Sequence, residues 1–281
     1  GTKIVGTIGP ASEGRIEELV AAGLSVARLN FSHGEEADHR RRAQAVREAA
    51  AKLGRAVGLL VDIQGPTLRL GRLHGGTLEL NEGEVVRLVE GEEAREERDV
   101  PFDFQGFTRS VRAGDRVFLA DAALELLVTE VAETWAQARG LRGGALTDKK
   151  AVHLPDSSLL FELPTPRDRE HLALAREIGA DMIGISFVSR AEEVERIREL
   201  APEMMMVAKI ERKLALENLQ SILQSADGLM VARGDLGVEV RFERLPLVQK
   251  LVIREALLAG KFAITATEML ESMIHASRPT R

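Results

Sequence analysis

The chain has 281 residues, of which 44% are hydrophobic and 29% are charged, and it contains no cysteine. This composition is typical of a folded globular protein, and it excludes both disulfides and thiolate chemistry. The net charge is -6. There is no basic stripe and no apolar run of about 20 residues, so we expect a cytoplasmic protein that binds neither nucleic acid nor membranes.

The first 65 residues alternate between short apolar runs and helical stretches. Strand-like runs cover 3–8, 26–31 and 57–62. A helix that starts after Ser12 and a second one at 36–53 separate them. Short apolar strands that alternate with helices predict a parallel sheet with helices outside it.

The pattern changes after Gly65 and Pro66. From about residue 66 to about residue 155, short alternating runs are separated by glycine-containing turns, which predicts a small all-β insert. Helices and strands then alternate again to the end of the sequence. The predicted strands are 181–187, 205–211, 228–232 and 262–267, and the predicted helices are 167–178, 191–200, 214–224 and 246–259.

Seven strands of this kind indicate an α/β fold, a (β/α)8 TIM-type barrel, although such a barrel needs eight. An eighth strand is not visible in the sequence. We therefore expect barrel residues at 1–65 and 156–281, with the inserted β domain at 66–155.

Polar residues follow the predicted strands, at the edge where barrels of this type carry their active sites. They are Arg28, Asn30, Ser32, Asp62, Ser186, Lys209, Glu211, Arg233, Asp235, Thr267 and Glu268. Lys209 and Glu211 are two residues apart in a strand and so share one face, as either a structural ion pair or part of a catalytic site. Asp235 lies between glycines, which fits either a Mg²⁺ ligand or a tight turn.

Cations suited to phosphate binding occur at Arg28, Arg69 and the pair Lys149 and Lys150. Each of them, taken alone, is more typical of a solvated charge, and His33 is more typical of a loop histidine than of a base. These residues together indicate a magnesium site beside a lysine and several phosphate-binding cations. They do not identify a substrate.

Several runs resemble the pyruvate kinase family, in the family's order and spacing, across essentially the whole chain. The matching runs are 2–12, 27–34, 62–66 with Arg69, 149–150, 154–155, 186–188, 209–211, 227–237 and 266–273. The β insert falls where this family carries its lid, called domain B. The resemblance also implies that the chain ends before the eighth barrel strand and the C-terminal domain of the family.

The resemblance implies roles for the residues at the strand ends. Lys209 and Arg28 would act on the phosphoryl group, and Thr267 would lie near the enolate carbon, so that all three are catalytic and contact the substrate. The backbone amides of Gly234 and Asp235 would bind the substrate carboxylate.

Metal and nucleotide sites are implied in the same way. Glu211 and Asp235 would hold Mg²⁺ or Mn²⁺. The residues of the potassium site would be Asn30, Ser32, Asp62 and Ile63. The residues facing the nucleotide would be Asn30, His33, Arg69 and Lys150.

The implied activity is phosphoryl transfer from phosphoenolpyruvate to ADP, which gives pyruvate and ATP, the last step of glycolysis. The family commonly forms homo-oligomers. Thr67 stands where the family usually has Glu or Lys, which leaves potassium dependence open, and Glu268 replaces the usual Gln. The alternatives are a Mg²⁺-dependent lyase or aldolase of pyruvate-like substrates, which would need no nucleotide-binding lid, and a non-catalytic relative.

Overall fold

The structure is a computed structural model that describes residues 1–104, 106–120, 122–157, 159, 161–268 and 271–275, with only the backbone at 271 and 272. Two compact units are distinguished in it. The described residues of 1–66, 162–233 and 246–281 form one unit, here called the barrel unit. Those of 67–161 and 234–245 form the other, here called the insert unit.

Strands and helices are numbered along the chain. The strands are β1 (Ile4–Thr7), β2 (Leu24–Asn30), β3 (Gly58–Ile63), β4 (Thr77–Leu80), β5 (Val85–Glu90), β6 (Asp99–Phe102), β7 (Arg116–Leu119), β8 (Leu124–Val131), β9 (Trp135–Arg142), β10 (Gly144–Thr147), β11 (Val152–His153), β12 (Met182–Ile185), β13 (Met205–Ile210), β14 (Gly228–Ala232) and β15 (Phe262–Ala266). The α-helices are α1 (Ile16–Ala22), α2 (Glu36–Lys52), α3 (Phe107–Ser110), α4 (Pro166–Glu177), α5 (Ala191–Leu200), α6 (Lys213–Glu217), α7 (Leu219–Ser225), α8 (Arg233–Glu239) and α9 (Leu245–Leu258).

The barrel unit is built on one parallel sheet. Among the described residues, seven strands pair in the order β1, β2, β3, β12, β13, β14 and β15, and every neighbouring pair is parallel. All seven predicted strands are present, and their ends lie within two residues of the predicted ones. The predicted fold class, a TIM-type α/β barrel with an all-β insert, is confirmed.

Burial explains why these apolar runs form strands. Every residue of β14 is buried, as are all residues of β13 except Met205. A strand covered on both faces reads as a continuous apolar run, which is the pattern that the sequence shows. The connecting helix α4 begins with a complete capping box, in which Thr165 Oγ1 accepts a hydrogen bond from the Asp168 amide at 3.1 Å.

Two local predictions differ from the structure. Ser12 precedes a short 3-10 turn instead of the helix itself, and α1 begins only at Ile16. The single helix predicted at 214–224 is interrupted at Asn218, whose side-chain amide donates to the carbonyl of Ser189 at 2.9 Å. After β14, where the sequence fits either a Mg²⁺ ligand or a tight turn, the structure has the short helix α8.

The insert unit contains two sheets among its described residues. Six strands pair in the order β11, β7, β8, β9, β5 and β6, and β10 pairs with β4. Its core is apolar and includes Phe102 and Phe107, whose rings stack with centroids 4.2 Å apart. The insert unit is therefore a β domain with its own core. The alternation of polar and apolar residues in its sequence predicts strands with one buried face.

Candidate active site

A buried lysine lies at the carboxyl end of β13, between two carboxylates. Lys209 Nζ lies 2.9 Å from Glu211 Oε1 and 3.5 Å from Asp62 Oδ2. The side chains of Asp62 and Glu211 are 1% and 2% exposed, and that of Lys209 is 11% exposed. Buried charges are costly unless they are paired, and these three groups compensate one another.

The carboxylates keep this lysine charged. Burial alone would lower the pKa of Lys209, but the nearby charges of Asp62 and Glu211 outweigh it, so the pKa lies above its ordinary value. This direction favours the charged form of Lys209 at neutral pH. Its ammonium also donates to Ser186 Oγ at 2.8 Å.

Arg28 joins the cluster from β2. Its Nε and one terminal nitrogen donate to Asp62 Oδ2 at 2.7 and 2.5 Å, and the other terminal nitrogen donates to Thr7 Oγ1 at 2.9 Å. The Arg28 side chain is 24% exposed, whereas Asp62 is almost fully covered. Asp62 and Thr7 thus fix the orientation of the guanidinium, which is still accessible to an anionic ligand.

Backbone groups orient the second carboxylate. The amide of Phe187 donates to Glu211 Oε2 at 2.6 Å, and Phe187 has a left-handed backbone with φ of 59°. The preceding Ser186 hydroxyl donates to the carbonyl of Ile63 at 2.8 Å. The segment after β12 therefore holds both Lys209 and Glu211 in place, a supporting role that sequence reasoning did not assign to Ser186 or Phe187.

One oxygen of Asp62 is left without a hydrogen bond. Asp62 Oδ1 is buried and lacks a partner among the described residues. Neighbouring Asn30 lies opposite Asp62 in the strand register, and its side-chain oxygen accepts from the Ser32 amide at 3.1 Å. A buried carboxylate oxygen with no donor is a chemical environment that suits a cation.

The other predicted residues lie outside this cluster. Thr267 follows β15, is exposed, and has φ of 71°. His33 is exposed in the loop after β2. Gly234 and Asp235 lie in the first turn of α8, in the insert unit, and both are partly buried.

Arg69 and Lys150 lie close together within the insert unit. One terminal nitrogen of Arg69 donates to the carbonyl of Lys149 at 3.1 Å, and Arg69 forms an isolated bridge with Ala151. Both lysines are exposed, and Lys149 pairs with Asp103 at 3.2 Å. The two adjacent lysines therefore differ in that Lys149, and not Lys150, forms an ion pair with Asp103.

Among the described residues, no group of three or more His, Asp or Glu side chains is placed to hold a metal ion. In the same part of the chain, no helix is long and apolar enough to cross a membrane. A Mg²⁺ site made of one or two carboxylates together with substrate oxygens does not need such a group.

The chain is similar to known proteins over its whole length. The family model described as "Pyruvate kinase, barrel domain" matches residues 1–281. A pyruvate kinase from Thermococcus litoralis is 40% identical over 100% of this chain, and one from Geobacillus stearothermophilus is 41% identical over the same share. The matches cover 60% and 49% of those relatives, so the chain spans about half to three fifths of their length.

A solved structure gives the same result. The crystal structure of a pyruvate kinase from Cryptosporidium parvum superimposes with a TM-score of 0.92 and 33% identity, over 100% of this chain and 60% of that one. The sequence and the fold therefore agree over the whole length of this chain. The chain belongs to the pyruvate kinase family.

Proposed function

We propose that this chain carries the catalytic machinery for phosphoryl transfer from phosphoenolpyruvate to ADP, giving pyruvate and ATP as the last step of glycolysis. The observation that supports this most strongly is the fixed cation Lys209, buried between Asp62 and Glu211 at the carboxyl end of the strands. A structural ion pair on the surface would not need this burial. Phosphoryl transfer, in contrast, depends on charges that are positioned in advance.

Arg28 and Lys209 have different roles toward the phosphoryl group. Arg28, which is partly exposed, binds the phosphate of the incoming substrate, and Lys209 neutralises charge on the phosphoryl group as it moves. The phosphorus–oxygen bond to the enol oxygen breaks while a bond to the terminal oxygen of ADP forms. The remaining enolate then takes a proton at carbon, and Thr267 belongs to the network that delivers it.

The divalent metal is Mg²⁺ or Mn²⁺, with Glu211 and Asp235 as its protein ligands. Both are carboxylates that follow neighbouring paired strands, β13 and β14, and hard cations prefer carboxylate oxygens. When bound, the ion would offset the negative charge of the substrate carboxylate and phosphate. The amides of Gly234 and Asp235 bind that carboxylate directly.

A monovalent cation site is proposed at Asn30, Ser32, Asp62 and Ile63. The unpartnered Oδ1 of Asp62 supports this site, because a buried carboxylate oxygen would otherwise remain uncompensated. K⁺ fits oxygen ligands of this kind. Thr67 carries no charge that could replace it, so we expect K⁺ to stimulate turnover.

The nucleotide is assigned to Asn30, His33, Arg69 and Lys150, with the insert, residues 66–155, acting as a lid over the barrel residues 1–65 and 156–281. Lid closure would exclude water from the phosphoryl group. We also propose that the protein is cytoplasmic and that it forms a homo-oligomer. Gel filtration with light scattering tests the oligomeric state.

A coupled assay tests the activity. Pyruvate release is followed with phosphoenolpyruvate, ADP and Mg²⁺, then with each component omitted, and finally with tetramethylammonium in place of K⁺. Turnover that requires all three components supports the proposal. A folded protein that produces no pyruvate, or that cleaves a hydroxy-ketoacid without nucleotide, would overturn it.

A further inference from the structure

The backbone at Thr267 has a conformation that β-branched residues rarely adopt. Thr267 directly follows β15, and its φ of 71° lies in the left-handed region. Such a conformation persists only where the surrounding structure holds it, and it is commonly found at functional sites. Another group must therefore hold this segment in place.

Arg233 donates hydrogen bonds to three consecutive carbonyls of the segment. Its Nε donates to the carbonyl of Ala266 at 2.7 Å. One terminal nitrogen donates both to the carbonyl of Thr267 and, at 3.2 Å, to that of Glu268. Arg233 is 4% exposed and the three bonds are partly buried, and charge-assisted hydrogen bonds of this kind are stronger than neutral ones.

The strand register brings Arg233 to these carbonyls. β14 and β15 are parallel neighbours, with Ala232 paired to Ala266 at the end of the ladder. Residue 233 is therefore the first residue beyond the ladder on one strand, and Thr267 is the first beyond it on the other. A planar guanidinium presents several donors in a fixed fork, whereas a lysine ammonium at the same place would be a single point charge.

We propose that Arg233 is a positioning residue for Thr267. It holds the backbone of residues 266–268 so that the Thr267 hydroxyl faces the carbon that is protonated after phosphoryl transfer. In that step the electron pair of the enolate double bond forms the new carbon–hydrogen bond, the enolate oxygen becomes a carbonyl, and the proton comes from solvent through Thr267. The inference rests on the role proposed above for Thr267.

The kinetic test compares Arg233→Lys with Thr267→Ala and with the double variant. We expect Arg233→Lys to lower kcat about 10- to 100-fold, because a misplacement of about 1 Å can have that effect. KM for phosphoenolpyruvate should change less than about threefold, since the substrate contacts are retained. The double variant should lose no more than Thr267→Ala alone, because both changes act through one hydroxyl.

Arg47→Lys is the matched control. Arg47 also binds two carbonyls, that of Val57 at 3.1 Å and that of Gly179 at 2.5 Å, but both of these precede strands instead of following them. The same substitution at Arg47 should leave kcat unchanged. Thermal melting verifies that each variant is folded, and Arg233→Gln replaces Arg233→Lys if the latter is not.

A second readout does not depend on activity. The methyl signal of Thr267, in protein labelled with ¹³C at threonine methyls, is assigned by its loss in Thr267→Ala. We expect it to shift or broaden in Arg233→Lys and to stay in place in Arg47→Lys. An unmoved signal in Arg233→Lys, or kcat losses that multiply in the double variant, would overturn the positioning role. If the wild type makes no pyruvate, the proposed function fails, and the methyl signal alone decides whether Arg233 positions Thr267.

Discussion

Gly184 packs directly against the carboxylate of Asp62, which predicts that even alanine is not tolerated there. The two residues are paired across β12 and β3. A Cβ atom at position 184 would lie 2.0 Å from Asp62 Oδ1 and 3.0 Å from its Cγ. An ordinary carbon–oxygen contact is about 3.3 Å, so the carboxylate would have to move by about 1 Å or more.

The expected loss of stability follows from this displacement. Overpacking of a core costs about 1–3 kcal/mol, and each disturbed hydrogen bond to a charged group costs about 1.5–3 kcal/mol. The hydrogen bond that would be disturbed is the one that Arg28 Nε donates to Asp62 Oδ2 at 2.7 Å. We therefore expect Gly184→Ala to lower the free energy of unfolding by roughly 3–5 kcal/mol.

Urea unfolding followed by circular dichroism measures this change, with Gly58→Ala as the control. A Cβ at Gly58 would meet the terminal methyl of Met182 at 3.0 Å, and because that side chain is flexible, the loss should stay below about 1 kcal/mol. In an Asp62→Ala background, adding Gly184→Ala should also cost less than about 1 kcal/mol. If Gly184→Ala were as stable as Gly58→Ala, the close approach of Asp62 would be refuted.

Three further predictions concern the supports of the fold. Asp168 is buried, and its carboxylate accepts from the amides of Gly65 at 2.8 Å and Thr165 at 2.9 Å, so Asp168→Ala should lower the free energy of unfolding by about 2–4 kcal/mol in urea. Burial lowers the pKa of His39, so its contribution to stability is present above about pH 6.5 and is lost as the pH falls. In His39→Leu the free energy of unfolding should therefore fall less steeply with decreasing pH than in the wild type, by up to about 1.4 kcal/mol per pH unit. Thermal unfolding at several pH values measures this difference. Phe107 is fully buried, and Phe107→Ala should cost about 3–5 kcal/mol.

Each of these predictions has an outcome that contradicts it. An Asp168→Ala protein that unfolds at the wild-type urea concentration would show that the cap and the link to Gly65 contribute little. Acid sensitivity that persists in His39→Leu would assign the titration to other groups. For Phe107→Ala the control is Val85→Ala, at a position 46% exposed in the insert unit, which should cost no more than about 0.5 kcal/mol; equal losses would contradict the packing argument.

Much of the barrel was predictable because its strands are buried on both faces and its helices begin and end at recognisable residues. The pairing of Lys209 with Glu211 also follows from sequence, since residues two apart in a strand share a face. The structure confirms this contact at 2.9 Å. The sequence of the short helix α8 is rich in glycine and equally typical of a turn, so the sequence alone does not decide between the two.

Contacts that depend on strand register could not be predicted. Asp62 holds both Arg28 and Lys209, which come from two other strands, and no local pattern shows that these three residues meet. The same holds for Gly184 against Asp62 and for Arg233 against the segment after β15. Roles for single residues came from the resemblance to the family, because residue chemistry alone gives a site for phosphate and metal without a substrate.

The most direct test of the account is the rate of pyruvate formation from phosphoenolpyruvate and ADP in the wild type, in Lys209→Met and in Lys52→Met. Lys52 is a lysine on the surface, with a side chain 66% exposed that pairs with Glu17 at 2.8 Å. With folding verified by circular dichroism, we predict that Lys209→Met lowers kcat about 10³-fold or more, while Lys52→Met stays within about twofold of the wild type. A folded wild type that makes no pyruvate, or a Lys209→Met protein as active as Lys52→Met, would contradict the central claim.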